Sequence, residues 1–203
     1  MLESKDREKI EQYISKLTGA ISADVHRNIQ MGMSNRDIID NAIRLTVNKI
    51  TPESKMILSS VYNMLLENTF ADSFYQDPKN KAAFYERDIL SDLTANFSFE
   101  VPNHIDYEET QHLIDKWTAS GAVVVAGGVI SITMKNIVPI AVAVVLAGIM
   151  LFLMKDKPVS DNRDVNALTT EYLEGVRDSL LAWIHEIEKY YDAEVYKLEK
   201  ELK

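Results

Sequence analysis

GAVVVAGGVISITMKNIVPIAVAVVLAGIMLFLM, residues 121–154, carries a single ionisable side chain, Lys135, near its centre. A helix that crosses the hydrocarbon core of a bilayer needs about 20 predominantly apolar residues, so this run approaches the length of two. Met134-Lys135-Asn136 is its only polar interruption, and Pro139 falls where it would occupy the first turn of a following helix. The run therefore reads as a membrane hairpin with arms at 118–134 and 137–154 and a turn at Lys135 and Asn136.

Small residues recur four apart along the arms: Ala122 and Ala126, Gly127 and Ser131, Ala143 and Ala147. In lipid that spacing lets helix backbones approach closely. Ser120, Val124, Gly127 and Ser131 would share one face of the first arm, as a packing surface or a weakly polar pore lining. Trp117 at the outer edge of the first arm, with Lys155 and Lys157 beyond the second, suits the interfacial belt. Lys116, Lys155, Lys157 and Arg163 flank the hairpin against Lys135 alone in its turn, which predicts an integral membrane protein with both termini cytoplasmic.

Outward from the hairpin the chain is polar and helical in pattern. Ile10, Tyr13, Ile14, Leu17, Ile21, Val25 and Ile29 recur every three or four residues, predicting an amphipathic helix stopped by Gly32. Ser34 and Asp37 offer a capping pair for a second helix over 35–50, with Ile38, Ile39, Ala42, Leu45, Val47 and Ile50 inside. Thr51-Pro52-Glu53 reads as the start of a third, running to about Thr69. Asp77-Pro78 breaks the chain before a fourth, over 79–96, with Ala83, Phe84, Ile89, Leu90 and Leu93 inside. Asp106 offers a cap for a fifth that leads through Trp117 into the hairpin.

Past Lys155-Asp156-Lys157-Pro158 one long helix is predicted from about Arg163 to Leu202. Val176, Leu180, Trp183, Ile187, Tyr191 and Leu198 lie on its apolar stripe. Such a helix would be about 60 Å long, and its surplus length is expected to pack against another copy along this stripe or to project from the membrane. The predicted fold class is all-α: an N-terminal soluble helical domain (1–117), a two-helix transmembrane hairpin (118–154), and a linker with a long C-terminal amphipathic helix (155–203).

Composition excludes several functions. A net charge of -9, without a cluster of Lys and Arg, gives nucleic acid no phosphate-neutralising surface. The absence of cysteine excludes disulfides, thiolate metal sites and cysteine nucleophiles. The charge-alternating N-terminus lacks the apolar core of a cleaved signal peptide. No phosphate loop, dinucleotide fingerprint, zincin or hydrolase-elbow motif occurs. Glu109-x-x-His112 has the helix spacing of a carboxylate-bridged di-metal site, but that architecture needs a second such pair. His26 and His185 neighbour apolar positions and read as interface or partly buried residues, while His104 lies in a connector near Glu100 and Asp106. Tyr190, Tyr191 and Tyr196 read as packing or oligomer contacts.

These features predict no enzyme, no cofactor and no metal site. The expected partners are the lipid bilayer, further copies of the chain, and a protein partner of the N-terminal domain. The leading expectation is a homo-oligomeric membrane effector that forms a channel or pore. Alternatives are a membrane-anchored adaptor or scaffold, and a soluble pore-forming toxin that shelters its apolar hairpin. The order of parts resembles that of α-helical pore-forming toxins, and no motif carries the resemblance further.

Overall fold

The computed structural model describes residues 2–97, 99, 122–125, 128–131 and 162–203. Five helices and one small β-hairpin are formed by these residues: α1 (Ser4–Gln30), α2 (Asn35–Phe70), α3 (Pro78–Glu86), α4 (Ile89–Asn96), β1 (Ala122–Val125), β2 (Gly128–Ser131) and α5 (Asn162–Leu202). The chain is helical throughout its described bundle.

The stripe of α1 buries Ile10, Ile14, Thr18, Ile21 and Val25. Tyr13, expected inside, is 41% exposed, and its hydroxyl donates to the Glu53 carboxylate on α2. The helix ends in a Schellman turn. Gly32 takes φ +73°, the left-handed conformation that glycine adopts without Cβ strain. The Gly32 N–H then donates to the Ile29 carbonyl and the Met33 N–H to that of Asn28. Ser34 caps α2, its Oγ accepting from the Asp37 N–H at 3.2 Å.

Two predicted helices, split at Thr51-Pro52, prove to be one. Proline removes the N–H that would bond the Asn48 carbonyl, yet both residues lie on the exposed face, where water can satisfy that oxygen. The buried stripe keeps its phase across the proline, through Val47, Ile50, Ser54, Ile57, Leu58 and Val61. Continuous burial on one side outweighs a missing bond on the other. The predicted helix over 79–96 is instead two, because Asp88 enters the left-handed region at φ 46° and caps α4, accepting from the Ser91 N–H. Leu90, expected inside, is 37% exposed as a consequence of that break.

Helix α5 is not a free rod. It packs along α1 and α2 of its own chain, and its C-terminal half receives α3 and α4, while the 3-10 turn at Ser73–Gln76 packs on α2 and α3. Ion pairs and hydroxyl contacts set the directions. Asp24 meets Lys49, and Arg7 meets Glu188, so α1 runs antiparallel to both partners. Thr69 meets Tyr191 at 2.8 Å, so α2 and α5 run parallel. The core between them holds Ile14, Ile21, Ile38, Ile50, Leu65, Leu180, Trp183, Ile187 and Tyr191. Residues 4–96 and 162–202, as far as they are described, thus share one core.

The first arm of the expected membrane hairpin departs from the prediction most. Within 118–134, two antiparallel strands replace a spanning helix, pairing Ala122 with Ser131, Val123 with Ile130, Val124 with Val129 and Val125 with Gly128. The β-branched run Val123-Val124-Val125 and Val129-Ile130 has the strand preference that its length and hydropathy alone conceal. Among the described residues no helix is long and apolar enough to cross a membrane. The second arm, 137–154, and the expected helix from Asp106 to Trp117 lie outside the described residues.

Candidate functional site

The apolar insertion is rooted on α5. The Trp183 indole N–H donates to the Phe97 carbonyl at 3.1 Å, and the Phe99 ring packs on the indole at a centroid distance of 5.6 Å. Phe97 in turn packs against Tyr190 at 5.3 Å. The Ser54 hydroxyl, buried on α2, donates to the Phe99 carbonyl at 3.2 Å. Trp183 has no exposed surface, so its one polar group is satisfied by the chain that leads to the insertion. From Phe99 the chain departs part-way along the bundle, and it returns at Asn162, the start of α5.

Two carboxylates on the buried stripe of α5 fasten the polypeptide around this root. Glu188 accepts from both the Leu2 backbone N–H and the Arg7 guanidinium, each at 2.7 Å, which pins the start of α1 to α5. Glu194 accepts from Arg87 at the α3–α4 elbow and from Lys197 on its own helix. Lys197 and then Arg87 hold the Glu194 carboxyl below its ordinary range, against a smaller opposing effect of burial. Neither carboxylate features in the sequence reading. Their signal was present, since both fall in phase with Ile187, Tyr191 and Leu198 on an otherwise apolar face.

The predicted assembly stripe is occupied by this same core. Leu180, Trp183, Ile187, Tyr191 and Leu198 are buried within the chain and Val176 is half-buried, because α1 and α2 already cover that face. Burial pushes the Tyr172 hydroxyl up to about 12, opposed by its bond with Thr46, and likewise raises that of Tyr75 to about 12. Tyr191 packs in an aromatic cluster with Tyr62 and Phe84, whereas Tyr196 is exposed. His26 and His185, expected at interfaces, both lie on exposed surface.

Of the small-residue positions, Ala122 and Ser131 face each other as partners in the β-hairpin. The backbone at these two positions is extended, where the four-residue spacing supposed a helix. Ser120, Ala126, Gly127, Ala143 and Ala147 lie outside the described residues. So do the turn residues Lys135 and Asn136, the interfacial Trp117, Lys155 and Lys157, and the Glu109–His112 pair.

No family model, curated protein or solved structure matches this chain. Its site must be read from its own geometry. Two concavities mark the bundle surface. An apolar groove of about 250 Å³ between α1 and α2 is lined by Ile10, Tyr13, Met56, Ile57 and Met64. A shallower cleft of about 260 Å³ between α1 and α5 presents Ser15, Ser22, Thr170 and Arg177. The Arg177 Nε is buried there without a hydrogen-bond partner. Among the described residues no group of three or more acidic or histidine side chains is arranged to hold a metal ion.

Proposed function

We propose that this chain acts on membranes, with the helical bundle as its body and the 121–154 run as the part that enters the bilayer, where several copies together permeabilise it. The observation that supports this most is the position of the run between Phe99 and Asn162, two points held on one bundle. A body on one side of a membrane requires an even number of crossings. Two apolar arms separated by Lys135-Asn136 meet that requirement. A single pair of helices encloses no conduit, so permeation needs several copies.

The β-hairpin favours a body that exists before insertion. Among the described residues these two strands pair only with each other, and hydrocarbon supplies no partner for an open strand edge. Entry of the first arm therefore entails replacing this pairing, by helix or by strands from further copies. This is the pre-insertion state of the sheltered-hairpin reading, with the bundle as carrier.

Release of an entrapped dye from phospholipid vesicles tests the proposal. The full chain is expected to cause leakage that rises more steeply than linearly with protein concentration. A variant carrying an unrelated two-helix anchor in place of 118–154 separates permeabilisation from anchoring. Vesicle binding without leakage by the full chain would support the adaptor reading instead.

A further inference from the structure

Resting on the membrane reading above, we infer that the end of the bundle formed by the α1–α2 turn and the start of α5 faces the bilayer, with Met31 as an interfacial anchor. The antiparallel arrangement brings the end of α1, the start of α2 and the start of α5 to one end of the bundle. Met154, the last apolar residue of the run, lies eight residues before Asn162. A fully extended connection of that length reaches at most about 27 Å. The opposite end of α5 is about 60 Å away. Upstream, the longer stretch between Phe99 and Gly121 imposes no comparable limit. A bilayer that takes up 137–154 therefore lies close to the α5 N-terminal end.

At that end the Schellman turn divides two methionines. Met33 folds back onto the core, while Met31 projects with 69% of its surface exposed. Gly32 fixes the difference, because its left-handed backbone is what reverses the chain between them. An unbranched, polarizable side chain on a rigid turn suits the boundary between headgroups and acyl chains. Arg27, 65% exposed one turn earlier on α1, lies 3.6 Å from Asp24, which Lys49 holds more closely at 2.8 Å, so its guanidinium has donors left for lipid phosphate. Tyr196, equally exposed, sits toward the far end of α5 and serves as the internal contrast.

The chain contains no cysteine, so Met31→Cys and Tyr196→Cys each accept one environment-sensitive dye at a single site. Both positions are exposed, and unchanged helicity by circular dichroism would verify the fold. With phosphatidylcholine–phosphatidylglycerol vesicles, the dye at 31 is expected to shift to the blue. Nitroxide-labelled lipid is expected to quench it several-fold more than the dye at 196. Met31→Ser is expected to weaken vesicle partitioning roughly tenfold, the effect of losing one buried apolar side chain. Equal quenching at both sites, or an aqueous dye at 31 on vesicle-bound protein, would overturn the orientation while leaving the membrane reading intact. A full chain that does not co-sediment with vesicles would overturn both.

Discussion

Glu188 illustrates how unequal the two halves of one ion pair can be. Its side chain is 3% exposed, whereas that of Arg7 is 43% exposed. Removing the cation leaves a buried carboxylate that keeps, among the described residues, the Leu2 N–H, and breaking a buried pair in this way costs about 3 kcal/mol or more. Removing the carboxylate charge lets Arg7 turn to water. Arg7→Met is therefore expected to lose about 3 kcal/mol in urea denaturation at neutral pH, and Glu188→Gln only about 1 kcal/mol, since the amide oxygen still accepts from Leu2. Glu194 gives a pH signature. Lys197 and Arg87 lower its folded pKa beneath the unfolded value near 4.5, so its contribution is present above that value and is lost as pH falls through the folded one. Glu194→Gln should flatten the acid limb of the stability profile without altering its shape near neutrality. An acid limb as steep as that of the parent would refute this assignment.

At the scale of elements, α2 shows tertiary burial overriding a local stop signal. Pro52 costs the helix a hydrogen bond, and in a helix interior proline is worse than alanine by about 3 kcal/mol. Proline also narrows the unfolded ensemble, which returns about 0.4–1 kcal/mol. Because Pro52 is exposed and its ring fills no core space, Pro52→Ala should stabilise the protein by roughly 2 kcal/mol, read from the thermal midpoint. A fall in the midpoint would mean that the ring has a packing role. The proline was legible and its consequence was not: Thr51-Pro52-Glu53 has every mark of a helix start, and only the unbroken phase from Val47 to Val61 contradicts it. Helices α1 and α5 could be read directly, since their stripes persist for many turns. The α3–α4 break could not, because no glycine or proline marks the position where Asp88 turns left-handed, and its neighbour Arg87 is held by Glu194, a partner remote in sequence. The strands at 122–131 were obscured by hydropathy itself, which registers apolar content and is blind to β-branching.

For the whole molecule, the decisive relation is between a bundle with its own core and an apolar insertion within it. The core of α1, α2, α3, α4 and α5 is built from side chains outside 118–154, with Trp183, Tyr191, Phe84 and Ile14 among its most deeply buried members. The insertion is plain in the sequence, and the α5 stripe offered there for assembly is covered by the chain's own helices at Leu180, Trp183, Ile187, Tyr191 and Leu198. A stripe looks the same whether a second copy or the chain's own N-terminus covers it, and only the three-dimensional arrangement distinguishes the two. Because the described core side chains form a continuous set across α1, α2 and α5, the bundle is expected to fold without the insertion. Replacing residues 118–156 with a short Gly/Ser linker retains Phe97 and Phe99 on Trp183 as well as the Glu188 and Glu194 clasps. Loop-closure entropy favours the change, because shortening a loop by half relieves about 0.6 kcal/mol. The shortened protein is expected to unfold cooperatively, with a midpoint equal to or above that of the full chain, to bind vesicles much more weakly and to lose dye release completely. Retained leakage would assign the membrane activity to the bundle surface. Failure to unfold cooperatively would show that the insertion completes the core, and that the body and the membrane-entering part are not separable.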